Sequence, residues 1–157
     1  MTPTPVLARL RSSSPRTGLR SIGLVAVCVA VLAGCWSGPQ GNDMDLINGY
    51  RQSRGGSTLA GDQAAMDKAQ AWSRHMAQTG VLEHTGGGTK LNTNGVSGWC
   101  SYYENVAYGS SLAAVHASLV ASDVHRANML STAHRVGTGV YQQGSTVWVT
   151  EIYLRNC

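Results

Sequence analysis

The sequence predicts an α+β domain in which helices pack on an antiparallel sheet. Apolar residues recur at helical spacing through much of the domain, and two β-rich runs separated by a short turn close the chain. A third observation sets the domain's start, because a basic and then strongly apolar stretch precedes it and has the composition of an export signal.

The N-terminal segment has the three parts of a bacterial lipoprotein signal. Four arginines precede residues 21–31 (SIGLVAVCVAV), an apolar run too short to cross a bilayer, which takes about 20 apolar residues. Residues 32–35 (LAGC) then resemble the lipobox, whose cysteine receives a diacylglycerol. We expect a signal peptide over residues 1–34 and a lipidated Cys35 that anchors the protein to the bacterial membrane or envelope, outside the cytoplasm. An uncleaved anchor and a plain secretory signal are the alternatives.

Removal of that signal changes the charge and defines the domain. The arginines behind the net charge of +4 lie before Cys35, so the mature chain has eight basic and eight acidic side chains. A nucleic-acid partner, which requires a basic surface, is therefore not expected. Residues 35–41 are predicted to be the lipidated cysteine and a flexible tether, and residues 42–157 one domain.

Capping residues and apolar spacing predict the helices. The first helix begins at Asn42 or Asp43 and ends at residues 55–56 (GG); the second runs from a cap at Asp62 to a stop at Gly80. The second helix has one apolar stripe, formed by Ala65, Ala69, Trp72 and Met76. After an aperiodic Gly-rich loop, Ser110 or Ser111 caps a third helix, and Asp123 caps a short helical turn.

The end of the chain predicts a β-hairpin. Residues 135–142 and 146–154 are β-rich, and residues 143–145 (QGS) separate them. Alternation along the last strand gives it two faces, one with Trp148 and Ile152 and the other with Val149, Glu151 and Tyr153. Residues 104–108 are predicted to form a short strand or a turn.

Two cysteines remain once Cys28 leaves with the signal and Cys35 carries lipid. Cys100 and Cys157 most simply pair in an oxidising compartment, with two free thiols as the alternative.

Among the histidines and acidic residues, three have an unusual setting. His84 lies at the mouth of the Gly-rich loop, and His125 lies at a helix N-terminus, where the dipole lowers the pKa of an imidazole. Glu104 lies among apolar residues and needs a partner. By contrast, we interpret His75 and His116 as surface or boundary residues and His134 as a solvated turn residue. A buried glutamate beside histidines is either a structural network or a functional site.

Six segments, taken in order, resemble the bacterial branch of the CAP superfamily, also called SCP-like or cysteine-rich secretory protein domains. They are residues 72–77 (WSRHMA), 80–84 (GVLEH), 104–109 (ENVAYG), 122–130 (SDVHRANML), 136–140 (VGTGV) and 148–151 (WVTE). The resemblance implies a three-layer α–β–α sandwich with a central antiparallel sheet and a large cleft. It also implies that Arg126 and Asn128 are structural residues of a turn.

The resemblance places His84, Glu104 and His125 in that cleft, where the family has two histidines and two glutamates. The second glutamate has no clear match here, since Ser122 and Asp123 precede His125. Tyr103 replaces a glycine before Glu104, and residues 123–124 replace a Pro-Gly pair. Two histidines and a glutamate with an open fourth position would suit Zn²⁺ or another divalent metal, so a metal held by these three residues is a hypothesis.

The resemblance and the sequence leave three functions open. The first is a binding module for a lipid or cell-envelope ligand, favoured by the neutral domain and the incomplete catalytic set. The second is a metal-assisted hydrolase or peptidase with Glu104 or a histidine as base. The third is a structural surface protein whose His–Glu cluster stabilises the fold. No catalytic residue, ligand or oligomeric state is assigned at this point.

Overall fold

The computed structural model describes Met1 and residues 38–157 of the chain. The signal peptide over residues 1–34 and the lipidation of Cys35 lie outside the described residues. Within them the helices are α1 Pro39–Ser53, α2 Gln63–Thr79, α3 Leu112–Ala121 and α4 Asp123–Met129. The strands there are β1 Ala60–Gly61, β2 Ser101–Gly109, β3 Arg135–Gln143 and β4 Thr146–Arg155.

The strands form one sheet in the order β1-β3-β4-β2. β3 and β4 are the predicted hairpin, and Gly144 at its turn has a φ of 60°. Residues 104–108 belong to a full strand, β2, which pairs antiparallel with β4 and leaves its other edge unpaired within the sheet. β1 pairs parallel with β3 over only two residues, too short a run for a sequence pattern to reveal.

Helix α2 covers one face of the sheet, and two glycines of β3 permit its close approach. A Cβ atom on Gly137 would lie 2.3 Å from the carbonyl carbon of Ala65, and one on Gly139 would lie 2.1 Å from that of Ala69. Ala65 and Ala69 are fully buried and pack with Ile152 and other apolar side chains. The small residues on both elements therefore set the spacing of this layer.

Helices α1, α3 and α4 lie on the opposite face. Val149 and Tyr153 alternate with Ile152 along β4 and pack with Ile47 of α1 and Val115 of α3. Helices on both faces of a mainly antiparallel sheet confirm the α+β class and the three-layer α–β–α sandwich. Within residues 38–157, no helix has the length and apolarity needed to cross a membrane.

Local capping signals are confirmed at the second and third helices. The Asp62 side chain accepts a hydrogen bond from the Ala65 N–H, and Ser111 does the same for Ala114. Gly80 ends α2 in the left-handed region, with a φ of 69°. The short α4 differs, because Ser122 is its N-cap residue and Asp123 lies inside the first turn.

The expected start of the first helix is wrong, because its N-cap residue is Gly38 and not Asn42 or Asp43. α1 begins at Pro39, a residue type that suits a first helical turn because it lacks an N–H, and residues 39–41 belong to the helix rather than to the tether. Asp43, expected as a possible cap, is instead a buried residue of the helix with 1% of its surface exposed.

The predicted Cys100–Cys157 disulfide is present, with the two Cα atoms 4.9 Å apart. It fixes the C-terminal residue to the start of β2, one residue before Ser101. The bridge therefore ties the end of β4 to the edge strand that carries Glu104.

Candidate functional site

His84, Glu104 and His125 line one cavity of about 210 Å³. His84 lies in the loop after α2, Glu104 lies on the edge strand β2, and His125 lies in α4 on the other face of the sheet. The cavity therefore opens along the unpaired edge of β2, where the two helical layers meet. Its other lining residues are Thr89, Leu91, Tyr102, Tyr103, Val124 and Asn128.

Glu104 is buried, and both of its carboxylate oxygens have hydrogen-bond partners. Oε1 lies 2.9 Å from His84 Nδ1 and accepts from the Thr85 backbone N–H at 2.9 Å. Oε2 accepts from the Thr85 hydroxyl at 2.7 Å and from the Tyr102 hydroxyl at 3.3 Å. This network supplies the partner that the sequence analysis required for a carboxylate in apolar surroundings.

The His84–Glu104 contact assigns the roles of the imidazole nitrogens. A carboxylate only accepts hydrogen bonds, so Nδ1 carries the proton and donates it to Glu104. In the neutral ring Nε2 is then an acceptor. The His84 side chain is 25% exposed, so a molecule in the cavity can reach this ring.

His125 contributes a second imidazole to the cavity. Burial, followed by the nearby His84, lowers the pKa of His125 below its ordinary value. The direction agrees with the sequence analysis, but the causes are burial and a neighbouring imidazole instead of a helix dipole. The His125 backbone is fixed by Asn105, whose Nδ2 donates to its carbonyl at 3.1 Å.

Asn105 and Asn128 join the strand and the helix behind the cavity. Asn128 Nδ2 donates to Asn105 Oδ1 at 2.9 Å and to the Glu104 carbonyl at 3.4 Å. Arg126 donates to the Val120 carbonyl at 3.0 Å and pairs with Asp123. These bonds support the expected structural role of Arg126 and Asn128.

The remaining three histidines lie at surface or boundary positions, as expected. His134 is exposed at a turn and accepts the Asn156 N–H at 3.1 Å, and His75 stacks partly exposed on Trp72 at 4.5 Å between ring centroids. His116 is half-buried, as expected for a boundary residue, but its Nδ1 atom is buried and has no hydrogen-bond partner. Its helix presents this atom to α1 and the sheet, a contact that helical spacing alone does not reveal.

The cleft does not provide three ligands for a metal in its present geometry. Among residues 38–157, the one group of at least three His, Cys, Asp or Glu ligands within 4.8 Å of one another lies elsewhere. Both Glu104 oxygens already accept from protein donors, so the free groups of the cleft are the two imidazoles. The residues present therefore do not fit the hypothesised three-ligand zinc site.

Comparison with known proteins places this cleft in a family context. The model of the CAP, or cysteine-rich secretory protein, family matches residues 44–153. The chain belongs to the CAP family. No match to the chain was found among curated protein sequences.

Solved structures with the CAP fold resemble the chain over most of its domain. An extracellular SCP-domain protein of Bacillus anthracis aligns with a TM-score of 0.64 and 26% identity, covering 74% of this chain and 40% of that one. An outer surface protein of Borrelia burgdorferi aligns with a TM-score of 0.64 and 15% identity, covering 74% of this chain and 94% of that one. Venom allergen-like protein 4 of Schistosoma mansoni aligns with a TM-score of 0.61 and 11% identity, covering 77% of this chain and 90% of that one. The chain thus spans less than half of the Bacillus protein.

The CAP cleft of this chain has a single glutamate. Asp123, one of the two residues considered for the second acidic position, has a side chain that is 91% exposed and pairs with Arg126. Tyr103, in place of a glycine, lines the cavity together with Tyr102. Two aromatic side chains thus line the cavity beside its single glutamate.

Thr85 and Asn105 were missed as site residues by the sequence analysis. Thr85 donates twice to Glu104, and Asn105 holds His125. The only sequence signal is their position next to His84 and Glu104, and adjacency does not tell which way a side chain turns.

Proposed function

We propose that this CAP protein is an exported, lipid-anchored binding module whose cleft takes the hydroxyl-bearing head group of a cell-envelope molecule. The observation that carries the proposal is the position of two imidazoles, those of His84 and His125, in one cavity with exposed apolar side chains beside them. Leu91 and Val124 line the cavity and are 43% and 71% exposed. Such a site is suited to a molecule that has both a polar group and an apolar part.

The size and charge of the cleft narrow the ligand. The cavity volume of about 210 Å³ is smaller than the roughly 300–1,000 Å³ of pockets that enclose drug-sized ligands, so only part of the ligand enters the cavity. Because the mature domain has no net charge and burial favours the neutral form of His125, hydrogen bonds and not charge attraction select the ligand. A hydroxyl can donate to His84 Nε2 and accept from the hydroxyl of Tyr103, which also lines the cavity.

Export and anchoring are the other half of the proposal. The basic and apolar N-terminal segment with its LAGC ending supports lipidation of Cys35. The described Bacillus and Borrelia proteins are called extracellular and outer surface proteins, which agrees with export. Only residues 36–38 separate Cys35 from α1, a span of at most about 14 Å between their Cα atoms. The lipid would therefore keep the domain, and its cleft, at the membrane surface.

Calorimetric titration of the full-length protein in detergent tests the ligand class. Short-chain phosphatidylglycerol carries head-group hydroxyls, phosphatidylcholine does not, and a soluble N-acetylglucosamine oligomer carries hydroxyls without acyl chains. We expect saturable binding of phosphatidylglycerol or the sugar, no binding of phosphatidylcholine, and loss of binding in His84→Ala but not in His75→Ala. The probe that binds shows whether the ligand is a lipid or a glycan. Equal heats from all three probes, or unchanged binding in His84→Ala, would contradict the proposal.

The His84–Glu104 pair also favours a second candidate, a hydrolase in which His84 Nε2 is a general base. A carboxylate that holds Nδ1–H orients the ring and leaves Nε2 as the proton acceptor, as in known catalytic pairs. Turnover of a peptide library by wild type that is abolished in both His84→Ala and Glu104→Gln would support this alternative. If all cleft variants change only thermal stability, the cluster is structural and both functional candidates are wrong.

A further inference from the structure

A second polar cluster lies on the other face of the sheet from Glu104. It comprises Asp43 of α1, His116 of α3 and Glu151 of β4, and one ligand atom from each lies within 4.8 Å of the others. Glu151 alternates with Ile152, which faces α2, so the cluster lies between the sheet and helices α1 and α3. It is separate from the cleft residues His84 and His125.

Asp43 and Glu151 are buried, His116 is half-buried, and the ligand atoms of the cluster have no partners. Asp43 is 1% exposed and Glu151 is fully buried, yet both Asp43 oxygens, Glu151 Oε1 and His116 Nδ1 lack a hydrogen bond. Within residues 38–157, no Lys or Arg forms an ion pair with either carboxylate. Two buried carboxylates without a counter-charge cost several kcal/mol, so four orphaned atoms at one point indicate a missing partner.

Arg51, a buried cation on the same helix as Asp43, is already engaged. Arg51 donates from Nε to the Ser57 carbonyl at 2.7 Å and from Nη1 to the Met129 and Ser131 carbonyls at 2.7 and 2.9 Å. Its side chain thereby joins α1 to the end of α4 and the following turn. Arg51 therefore leaves the two carboxylates of the cluster unpaired.

The free oxygen of Glu151 is held in position by its other oxygen. Glu151 Oε2 accepts from the Tyr153 hydroxyl at 2.6 Å and from Asn105 Nδ2 at 2.9 Å. Outer hydrogen bonds that orient a ligating carboxylate, and leave one oxygen free, are typical of metal sites. Tyr153 and Asn105 would serve as these outer partners.

We propose that Asp43, His116 and Glu151 bind one divalent transition-metal ion. Two carboxylates balance the charge of the ion, and a donor set of one imidazole nitrogen and two carboxylate oxygens suits Zn²⁺ or Mn²⁺. Ligand atoms around a tetrahedral Zn²⁺ lie about 3.4 Å apart, so closure from the present spacing takes shifts of about 1 Å.

The ion would link the helical layer to the sheet. It joins α1, α3 and β4, three elements that are distant in the chain, and binding to the folded state alone stabilises that state. Asn105 links the proposed metal site to the cleft, because its Nδ2 donates to both Glu151 Oε2 and the His125 carbonyl. The metal site would thus also fix the backbone that carries His125.

The metal content of the full-length protein tests this proposal. Because the cluster is buried, the detergent-solubilised protein is refolded with Zn²⁺, with Mn²⁺ or with a chelator, freed of unbound ions, and analysed for metal and thermal unfolding. We expect about one ion per chain and a higher Tm than after chelation. His116→Ala and Glu151→Gln should each weaken binding by at least about tenfold, whereas His84→Ala and His125→Ala should retain the ion.

Two controls keep the outcome decisive. Asp43→Asn removes an unpaired buried charge, so its Tm in chelator should equal or exceed that of the wild type, which separates loss of metal from loss of folding. X-ray absorption of the loaded protein should give nitrogen and oxygen ligation without sulfur. Wild type that folds and retains no ion, or an ion that leaves only when His84 or His125 is replaced, would overturn the proposal without affecting the ligand proposed for the cleft.

Discussion

His84 Nδ1 lies 2.9 Å from Glu104 Oε1, and this contact joins the loop after α2 to the edge strand of the sheet. The same carboxylate accepts from the backbone and hydroxyl of Thr85, so one side chain fixes two consecutive residues of the loop. Glu104 is therefore a positioning residue for His84, whatever molecule enters the cleft.

Replacement of Glu104 should destabilise the protein and not merely alter its cleft. Glu104→Ala leaves the buried Thr85 N–H without an acceptor, at a cost of about 1–3 kcal/mol, and leaves the Thr85 hydroxyl with only the longer contact to the Asn92 carbonyl at 3.3 Å. Urea unfolding measures the loss. Glu83→Ala is a suitable control, since it removes a more exposed glutamate that accepts only from the Gly88 N–H. Equal stability of the two variants would contradict the role given to Glu104.

The contact between α2 and β3 predicts a steric penalty. In Gly139→Ala the new Cβ would meet the Ala69 carbonyl group at 2.1–2.2 Å, both atoms being backbone, so helix and strand must separate. We expect the free energy of unfolding to fall by about 3 kcal/mol. Gly49→Ala, where no atom lies within 4 Å of the new Cβ, should instead raise it by up to about 1 kcal/mol, as alanine favours a helix. Chemical denaturation of both variants measures whether the free energy of unfolding falls in Gly139→Ala and rises in Gly49→Ala.

The empty cluster should make the metal-free protein less stable as its carboxylates ionise. Burial raises the pKa of Glu151 from 4.5 to about 7, despite lowering contributions from the Tyr153 and Asn105 hydrogen bonds, and burial and Glu151 raise the pKa of Asp43. The folded state therefore holds protons that the unfolded state releases, so stability from this group falls as pH rises from about 4.5 to about 7. Burial lowers the pKa of the neighbouring His116. The contribution of His116 to stability therefore increases as the pH rises to about 6.5, opposite to that of Glu151.

Glu151→Gln isolates the glutamate from those neighbours. In chelator, we expect the Tm of Glu151→Gln relative to wild type to increase between about pH 5 and about pH 8, because only the wild type must ionise a buried carboxylate. A constant difference across that range would mean that Glu151 does not titrate there.

Lipid anchoring gives a direct prediction for the N-terminus. Cells labelled with a fatty acid should incorporate the label into wild type but not into Cys35→Ser, which should be released from the membrane fraction. Cys28→Ser is the matched control, since this cysteine lies in the segment expected to be removed. Labelling of Cys35→Ser would place the lipid elsewhere and shift the predicted cleavage site.

The elements set by local chemistry were predictable from the sequence. Asp62, Gly80 and Ser111 act within a few residues of where they stand, so a cap or a stop was evident without the fold. Family resemblance predicted the shared cavity of His84 and His125, which are contributed by opposite layers and whose spacing in the chain carries no such information.

Features that depend on packing between layers were not predictable. The acidic residue at 43 has the composition of a helix cap, and only its contact with α3 and β4 reveals that it is buried. Likewise His116 follows a buried valine on an amphipathic helix, where either the surface or a polar cluster suits an imidazole. Two-residue β1 follows from its pairing with β3 and not from any pattern of its own.

The imidazole resonances of the five histidines test the cleft-binding function most directly. In the full-length protein, titration with the hydroxyl-bearing probe that binds should move the ring nitrogen signals of His84 and His125, the two histidines that line the cavity. The signals of His75, His116 and His134, which do not line it, should stay unchanged. Saturable shifts confined to the first pair are the predicted result; unmoved signals at His84 and His125, or equal shifts at all five rings, would contradict it.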